Sequence, residues 1–283
     1  MAIITISRGS FSYGQKIAEK VAEMLGYECL SREILIEASQ LFNVSEKKLI
    51  KSLHDAPSIL ERITHGREKY LSYIQTALLE HVVRDNIVYH GLAGHLLLAE
   101  IPQVLKVLVI AEIEDRIALL QQRHGIPRNQ ALAVIEKEDK HRTNWARYLY
   151  NTDVNDPRVY DIVIKIDRLK VQDACEIICC AARSEGYQTT VESKSIIIDL
   201  AISNHIKTAL QSVCEAEVFV KDGLVHVKVS AQKIRKSGFI SPALQMHVGA
   251  TLQNDLTRQI VEIANKVPGV KNVFCDVDMP YYT

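Results

Sequence analysis

A chain of 283 residues, 47% hydrophobic and 24% charged, has the composition of a folded protein long enough for two domains. Its 34 Lys and Arg are matched by 34 Asp and Glu, so no global charge points to nucleic acid or an anionic membrane. The longest apolar runs, such as Val104 to Ala111 with Lys106 inside, are too short to span a bilayer, and no charged-then-apolar leader opens the chain. Cytoplasm is the expected location.

Ile3, Ile4, Thr5 and Ile6 form a β-branched run that predicts a buried strand. A polar loop from Ser7 to Tyr13 follows, and from Gly14 the period becomes helical, with Ile17, Val21, Ala22, Met24 and Leu25 on one face until Gly26. Strand, small-residue loop and helix make a phosphate cradle, because loop N–H groups and the helix's positive end face one anion. Gly9 and Gly14 have the glycine spacing of a Walker loop, but Gln15 stands at its lysine and Lys16 at its metal-binding hydroxyl. An ordinary strand-to-helix turn is the alternative reading of this stretch.

A second strand is expected over Tyr27 to Leu30, then helices capped by Ser31 and Ser45. A long helix is expected from Ser58 to about Arg84, whose apolar stripe could pair two protomers. Strands at Ile87 to Tyr89, Val104 to Ile110 and Tyr160 to Ile166 alternate with helices over Glu112 to Gln122, Asn129 to Tyr150 and Val171 to Arg183. This alternation predicts an α/β domain with a five-stranded parallel sheet in three layers over residues 1–183. Residues 184–194 are polar and read as a linker. Beyond them a helix over Ser195 to Val213, a hairpin turning at Lys221-Asp222-Gly223, a helix over Gly249 to Lys266 and a strand over Val273 to Val277 predict a small α+β domain, 195–283.

Phosphoryl transfer needs fixed cations around the transferring group and little covalent chemistry. Arg8 and Lys16 flank the loop, Arg32 follows the second strand, and Gly91 follows the third, where a missing side chain admits a nucleotide. Arg123 and Arg128 bracket a hinge-like Gly125-Ile126-Pro127, as a closing lid requires. Lys137, Glu138, Asp139, Lys140 and Arg142 read as a solvated, ion-paired helix face. His54, His65, His90, His95, His124 and His141 have no metal or triad spacing and read as surface or packing residues. The six cysteines, without a C-x-x-C pair, read as buried reduced thiols.

The strings ITISRGSFSYGQKIAEKVAEMLGYECLSREI, RHGIPRNQALAVIEKEDKHRTNWARYLYN and DPRVYDIVIKIDRL resemble the cytidylate-kinase-like family over about Met1 to Arg183. The resemblance implies a P-loop fold, ATP as phosphoryl donor, Mg²⁺, a nucleoside monophosphate acceptor and an arginine-bearing lid; no residue is singled out as a metal ligand. Carried over by position, Ser7, Arg8, Gly9, Ser10, Phe11, Ser12, Tyr13, Gly14, Gln15 and Lys16 surround the phosphates with Arg32 and Gly91, and Arg8, Lys16, Arg123, Arg128 and Arg142 are the catalytic cations. The sequence departs from the family at Phe11 and Tyr13, which replace small residues; at Ser31, where an acid is usual; and at Gly91-Leu92-Ala93-Gly94, which lacks an arginine. A degenerate nucleotide-binding regulator therefore stands as the alternative to a phosphotransferase, with a purely structural first domain as a third reading. The second domain, through its α-β-β-α-β order, Lys221-Asp222-Gly223-Leu224-Val225 and Val267-Pro268-Gly269-Val270, resembles a BON domain of unspecified ligand, with an inserted basic loop over Ala231 to Val248.

Overall fold

The computed structural model describes residues 2–54, 66–91, 93–231, 233–234 and 241–282. The chain divides into two compact units, Met1–Thr190 and Val191–Thr283.

The first unit runs β1 (Ile3–Arg8), α1 (Gly14–Leu25), β2 (Glu28–Leu30), α2 (Glu33–Leu41), α3 (Glu46–His54), α4 (Gly66–Val82), β3 (Ile87–Tyr89), α5 (Gly94–Leu97), β4 (Val104–Ala111), α6 (Ile113–His124), α7 (Arg128–Tyr150), β5 (Ile162–Ile166) and α8 (Val171–Ala182). Its five strands lie in the order β2-β3-β1-β4-β5, every neighbouring pair parallel. β1 sits at the centre because Ile3, Ile4, Thr5 and Ile6 are all buried, leaving neither face to water. The chain leaves β1 toward β3 and β2 but leaves β4 toward β5. Connections from these adjacent strands therefore diverge, and a crevice opens at their carboxyl ends.

Helix α1 buries Ile17, Ala18, Val21 and Ala22 and stops at Gly26, whose φ of 68° suits an L side chain poorly. Together with Ala174, Cys175, Ile178 and Cys179 of α8, these residues cover Ile4, Ile6, Val107, Val109 and Ile164 of the sheet. Leu71, Ile74, Ala77, Leu78 and Val82 of α4 are buried within the unit, where α4 packs on α2 and α3. The described part of the stripe expected to pair protomers is thus already covered, and residues 58–65 of that helix lie outside the described residues. His81 of α4 joins the same group, its ring nitrogens 3.2 Å from Glu28 and 2.7 Å from Glu37.

The second unit contains α9 (Val191–Leu210), β6 (Glu217–Lys221), β7 (Leu224–Val229), β8 (Lys233–Ile234), α10 (Pro242–Asn265), β9 (Asn272–Val277) and β10 (Tyr281–Tyr282). β6 and β7 pair antiparallel, β7 and β9 parallel. Asp222 and Gly223 take positive φ values of 52° and 77°, and their amides donate to the Asp199 carboxylate at 2.8 and 3.1 Å. Ile202, Ile206, Val225, Val227, Val229 and Ile260 form this unit's core.

Several boundaries differ from the periodicity. Helix α10 begins at Pro242, not Gly249, because Ser241 caps it, accepting from the Leu244 N–H at 3.4 Å, and proline needs no N–H in a first turn. Most of the described residues of the expected insertion are therefore helix or the short β8; residue 232 and residues 235–240, with Arg235 and Lys236, lie outside the described residues. The polar stretch after Arg183 holds a 3₁₀ turn at Glu185–Tyr187, and α9 starts at Val191. β5 starts at Ile162, because Asp161 uses its own N–H and carboxylate on the Lys106 backbone. The six cysteines carry free thiols; Cys175, Cys179 and Cys214 are buried as expected, whereas Cys29 and Cys275 are half-buried and Cys180 is exposed. Among the described residues no helix is long and apolar enough to cross a membrane.

Truncation of a side chain shared by α1 and the sheet should loosen the whole first unit. Ile17→Ala, at a fully buried position, is expected to cost about 2–5 kcal/mol, read as a lowered midpoint of the first unit's urea transition.

Candidate active site

The loop after β1 is held by its own backbone and by two aromatic anchors. Gly9 N–H continues the sheet ladder to the Val109 carbonyl at 3.2 Å, and the Ser12 hydroxyl lies 2.8 Å from Gly9 O and 3.0 Å from Val109 O. Phe11 and Tyr13 both take φ of 61°, a left-handed conformation that costs a bulky residue about 1–3 kcal/mol. Packing holds them there. Phe11 sits against Ile117, Leu120, Ala131 and Ile135 of α6 and α7, while Tyr13 sits against the central core. Both residues line a cavity of about 200 Å³, together with Arg8, Ser10, Ser12, Gly14, Gln15, Leu119, Arg123, Glu138 and Arg142. Gly14 is required by proximity: a Cβ there would fall 2.7 Å from Arg8 Cδ.

A second cavity of about 400 Å³ lies over the carboxyl ends of the strands. One side is formed by Ser31, Arg32, Leu35 and Ile50, another by Tyr89, His90, Gly91 and His95, and a third by Arg116, Asp139, Trp145 and Tyr160. Gly91 is obligatory, because a Cβ would meet the Tyr89 hydroxyl at 2.1 Å. Arg8 and Arg142 line both cavities. Whatever fills one space therefore shares two cations with whatever fills the other.

Electrostatics single out the same point. Arg8 is pushed down to about 10, first by burial and then by Arg142 and Arg123. Arg142 is lowered as well, chiefly by burial; its Nη1 donates to Arg8 O at 2.6 Å, and its Nε is buried without a partner. Cations crowded together, one of them with an orphaned donor, mark a place where an anion would relieve both repulsion and the missing hydrogen bond.

Arg116 and Asp139 form a clasp on the loop. Arg116 Nε donates to Ser10 O at 2.7 Å, Arg116 Nη2 meets Asp139 Oδ2 at 2.6 Å, and Asp139 Oδ1 accepts from Ser10 N at 3.2 Å. The expected solvated helix face is corrected here: Asp139 reaches across to another element, and α7 is joined to the loop it was expected to cover. Behind the clasp, His95 Nδ1 lies 2.8 Å from Ser7 Oγ, and Nε2 lies 3.2 Å from Tyr160 OH. His95 is a buried packing residue, as expected, and also part of the cavity wall.

Of the expected site residues, the structure brings together Ser7, Arg8, Gly9, Arg32, Gly91 and Arg142 around the larger cavity, and Arg8, Ser10, Phe11, Ser12, Tyr13, Gly14, Gln15, Arg123 and Arg142 around the smaller. Arg32 sits at the rim, paired with Glu46 at 2.7 Å. Lys16 and Arg128 are exposed and line neither cavity, and Arg128 pairs with Glu114. Asp139, His95 and Tyr160 were not legible as site residues, since each acts through contacts with residues distant in sequence.

No three His, Cys, Asp or Glu side chains among the described residues gather into a metal site. Ser10 Oγ, buried without a partner, is a free loop oxygen. A hydroxyl oxygen of this kind fits as one ligand of a divalent cation.

Parallel order 2-3-1-4-5, a phosphate-type loop after β1 and a helical arm bearing arginine define a P-loop kinase fold. Residues 3–168 match the cytidylate kinase-like family, and the chain belongs to that family. It is 24% identical over 177 residues to the cytidylate kinase of Thermoplasma volcanium, covering 62% of this chain and 88% of that one. The cytidylate kinase of Thermoplasma acidophilum is also 24% identical, over 168 residues, 59% of this chain and 85% of its own. Among solved structures, an uncharacterized protein of Eubacterium ventriosum superposes with a TM-score of 0.51 at 19% identity, covering 65% of this chain and 100% of that chain.

Burial also lowers the His95 imidazole to about 4 from its ordinary 6.5. As pH falls below 6.5 the unfolded chain takes up this proton before the folded one. His95 therefore leaves stability untouched above about pH 7 and erodes it by on the order of 3 kcal/mol between pH 6.5 and 4. Urea titrations across that range should show a shallower pH slope for His95→Gln than for the parent chain.

Proposed function

We propose that the first unit is a nucleotide phosphotransferase, moving the γ-phosphoryl group of ATP to a nucleoside monophosphate. The observation that carries this reading is the sharing of Arg8 and Arg142 by two cavities of unequal size. The smaller, at the N-terminus of α1, suits the donor's phosphate tail; the larger, with apolar walls and cationic entry, suits the acceptor. The acceptor's phosphate oxygen, already ionised at neutral pH, attacks phosphorus without a general base, and the bond to the bridging oxygen of ADP breaks. Arg8 and Arg142 hold both phosphates in line, and Arg123 joins them at the donor. These fixed cations offset charge on the transferring group and take over the place that a Walker lysine would fill. When bound, a divalent cation such as Mg²⁺ neutralises donor phosphate charge. Closure of α7 through Arg142 and the Asp139 clasp excludes water and so favours transfer over hydrolysis.

A second reading, a nucleotide-binding regulator acting through the BON-like second unit, is favoured by two observations. Lys16 stands outside both cavities, and the Ser10 amide is occupied by a carboxylate. The readings separate in one experiment: a coupled ADP-release assay with ATP and each monophosphate, run beside thermal-shift titrations. The transferase reading expects turnover with at least one acceptor. Nucleotide-induced stabilisation without product supports the regulator, and absence of both removes each. Where turnover is found, Arg8→Ala and Arg142→Ala should each lower kcat about 10²–10³-fold, whereas Lys16→Ala should change it less than about tenfold.

A further inference from the structure

Ser7, His95 and Tyr160 form a chain of hydrogen bonds whose proton order can be assigned from donor counts. Tyr160 OH has one proton and lies 2.9 Å from the Val154 carbonyl, a group that only accepts. The phenol proton is committed there, so the phenolic oxygen is an acceptor toward His95 Nε2, 3.2 Å away. A neutral imidazole has one N–H, which this contact places on Nε2. His95 Nδ1 is then a lone pair and accepts a hydrogen bond from the Ser7 hydroxyl at 2.8 Å. The alternative order, with the proton on Nδ1, would need the phenol to turn to Nε2 and give up its shorter hydrogen bond to the Val154 carbonyl. His95 is 4% exposed and its basicity is depressed by burial, so at neutral pH the ring carries the single proton this order needs.

The consequence is at the open end of the chain. Ser7 is partly exposed at the carboxyl end of β1 and lines the larger cavity directly beside Arg8. Its hydroxyl proton points inward, which leaves only oxygen lone pairs for the cavity. A hydroxyl is normally indifferent, donating or accepting as its partner requires; this one is fixed as an acceptor.

We propose that Ser7 Oγ, oriented by His95 and Tyr160, selects an acceptor substrate bearing a neutral hydrogen-bond donor next to the phosphate held by Arg8. This rests on the nucleotide reading given above and adds to it: Ser7 is the contact, and His95 and Tyr160 are positioning residues. In a nucleoside monophosphate the donor is a sugar hydroxyl, by its proximity to the phosphate, or an exocyclic base amine. A bare phosphate or carbonyl oxygen at this point would face lone pair against lone pair and be rejected.

Two measurements test it on the full chain. Nitrogen-15 NMR of histidine-labelled protein at pH 7 should show His95 as the neutral Nε2–H tautomer; an imidazolium or an Nδ1–H ring overturns the proposal whether or not any nucleotide binds. Calorimetric titration with cytidine monophosphate, its 2′-deoxy and 3′-deoxy analogues, and uridine monophosphate then identifies the donor. One of the last three should bind at least about tenfold more weakly than cytidine monophosphate, because its absence leaves the fixed acceptor unpaired. A deoxy analogue in that place assigns a sugar hydroxyl, and uridine monophosphate assigns the amine. Ser7→Ala should bring that ratio close to one and Ser7→Thr, which keeps the hydroxyl, should restore it; ratios unchanged in Ser7→Ala overturn the proposal. Failure of all four to bind overturns the nucleotide reading together with this ligand, and leaves the tautomer result to stand on its own.

Discussion

The hydrogen bond from Arg142 to the carbonyl of Arg8, at 2.6 Å, is the interaction on which the site depends. It joins α7 to the last residue of the central strand, and in doing so brings two guanidinium groups into one partly buried place. Like charges do not gather in low dielectric without a reason. Here burial and mutual repulsion weaken the hold of Arg8 on its proton, and Arg142 retains a buried donor with no acceptor. An anion answers both, and the two cavities that meet at these residues offer it two routes of approach.

The loop beneath this pair keeps its bend without small residues at two strained positions. Backbone conformations that glycine adopts freely are imposed on Phe11 and Tyr13. Each ring is seated in a different hydrophobic cluster, one belonging to α6 and α7 and one to the sheet, so packing offsets the strain and keeps the loop open. The Arg116–Asp139 pair then closes the ring of contacts by binding both the N–H and the carbonyl of Ser10. The loop, α6 and α7 are thereby tied together at Ser10.

The second unit has a different character. Its sheet is covered on one side, by Ile202, Ile206 and Ile260, and its turn is locked by Asp199 beneath Asp222 and Gly223. On the other side Phe219, His226 and Phe274 stand in register across three strands, with His226 and Phe274 stacked at 4.8 Å. Charges of both signs, Glu217 and Asp276 with Lys221 and Lys228, lie on the same strands.

The sequence by itself determined the parallel sheet, the loop–helix cradle and the two-unit order, because each is written in local period: continuous apolar strands, helical stripes, glycines at turns. It also held the start of α10 in Ser241-Pro242, a cap and first-turn proline that periodicity alone passes over. Tertiary structure alone decided which cations share a space. Lys16 stands one residue from the Walker lysine's place, yet helical geometry leaves it in solvent, whereas Arg142, 134 positions from Arg8 along the chain, comes to lie against it. Asp139 looked like one charge among many on a solvated face, and His95 like packing. Their roles arise from partners brought near through space, and pairwise distances between remote residues are not encoded in any local pattern of side chains.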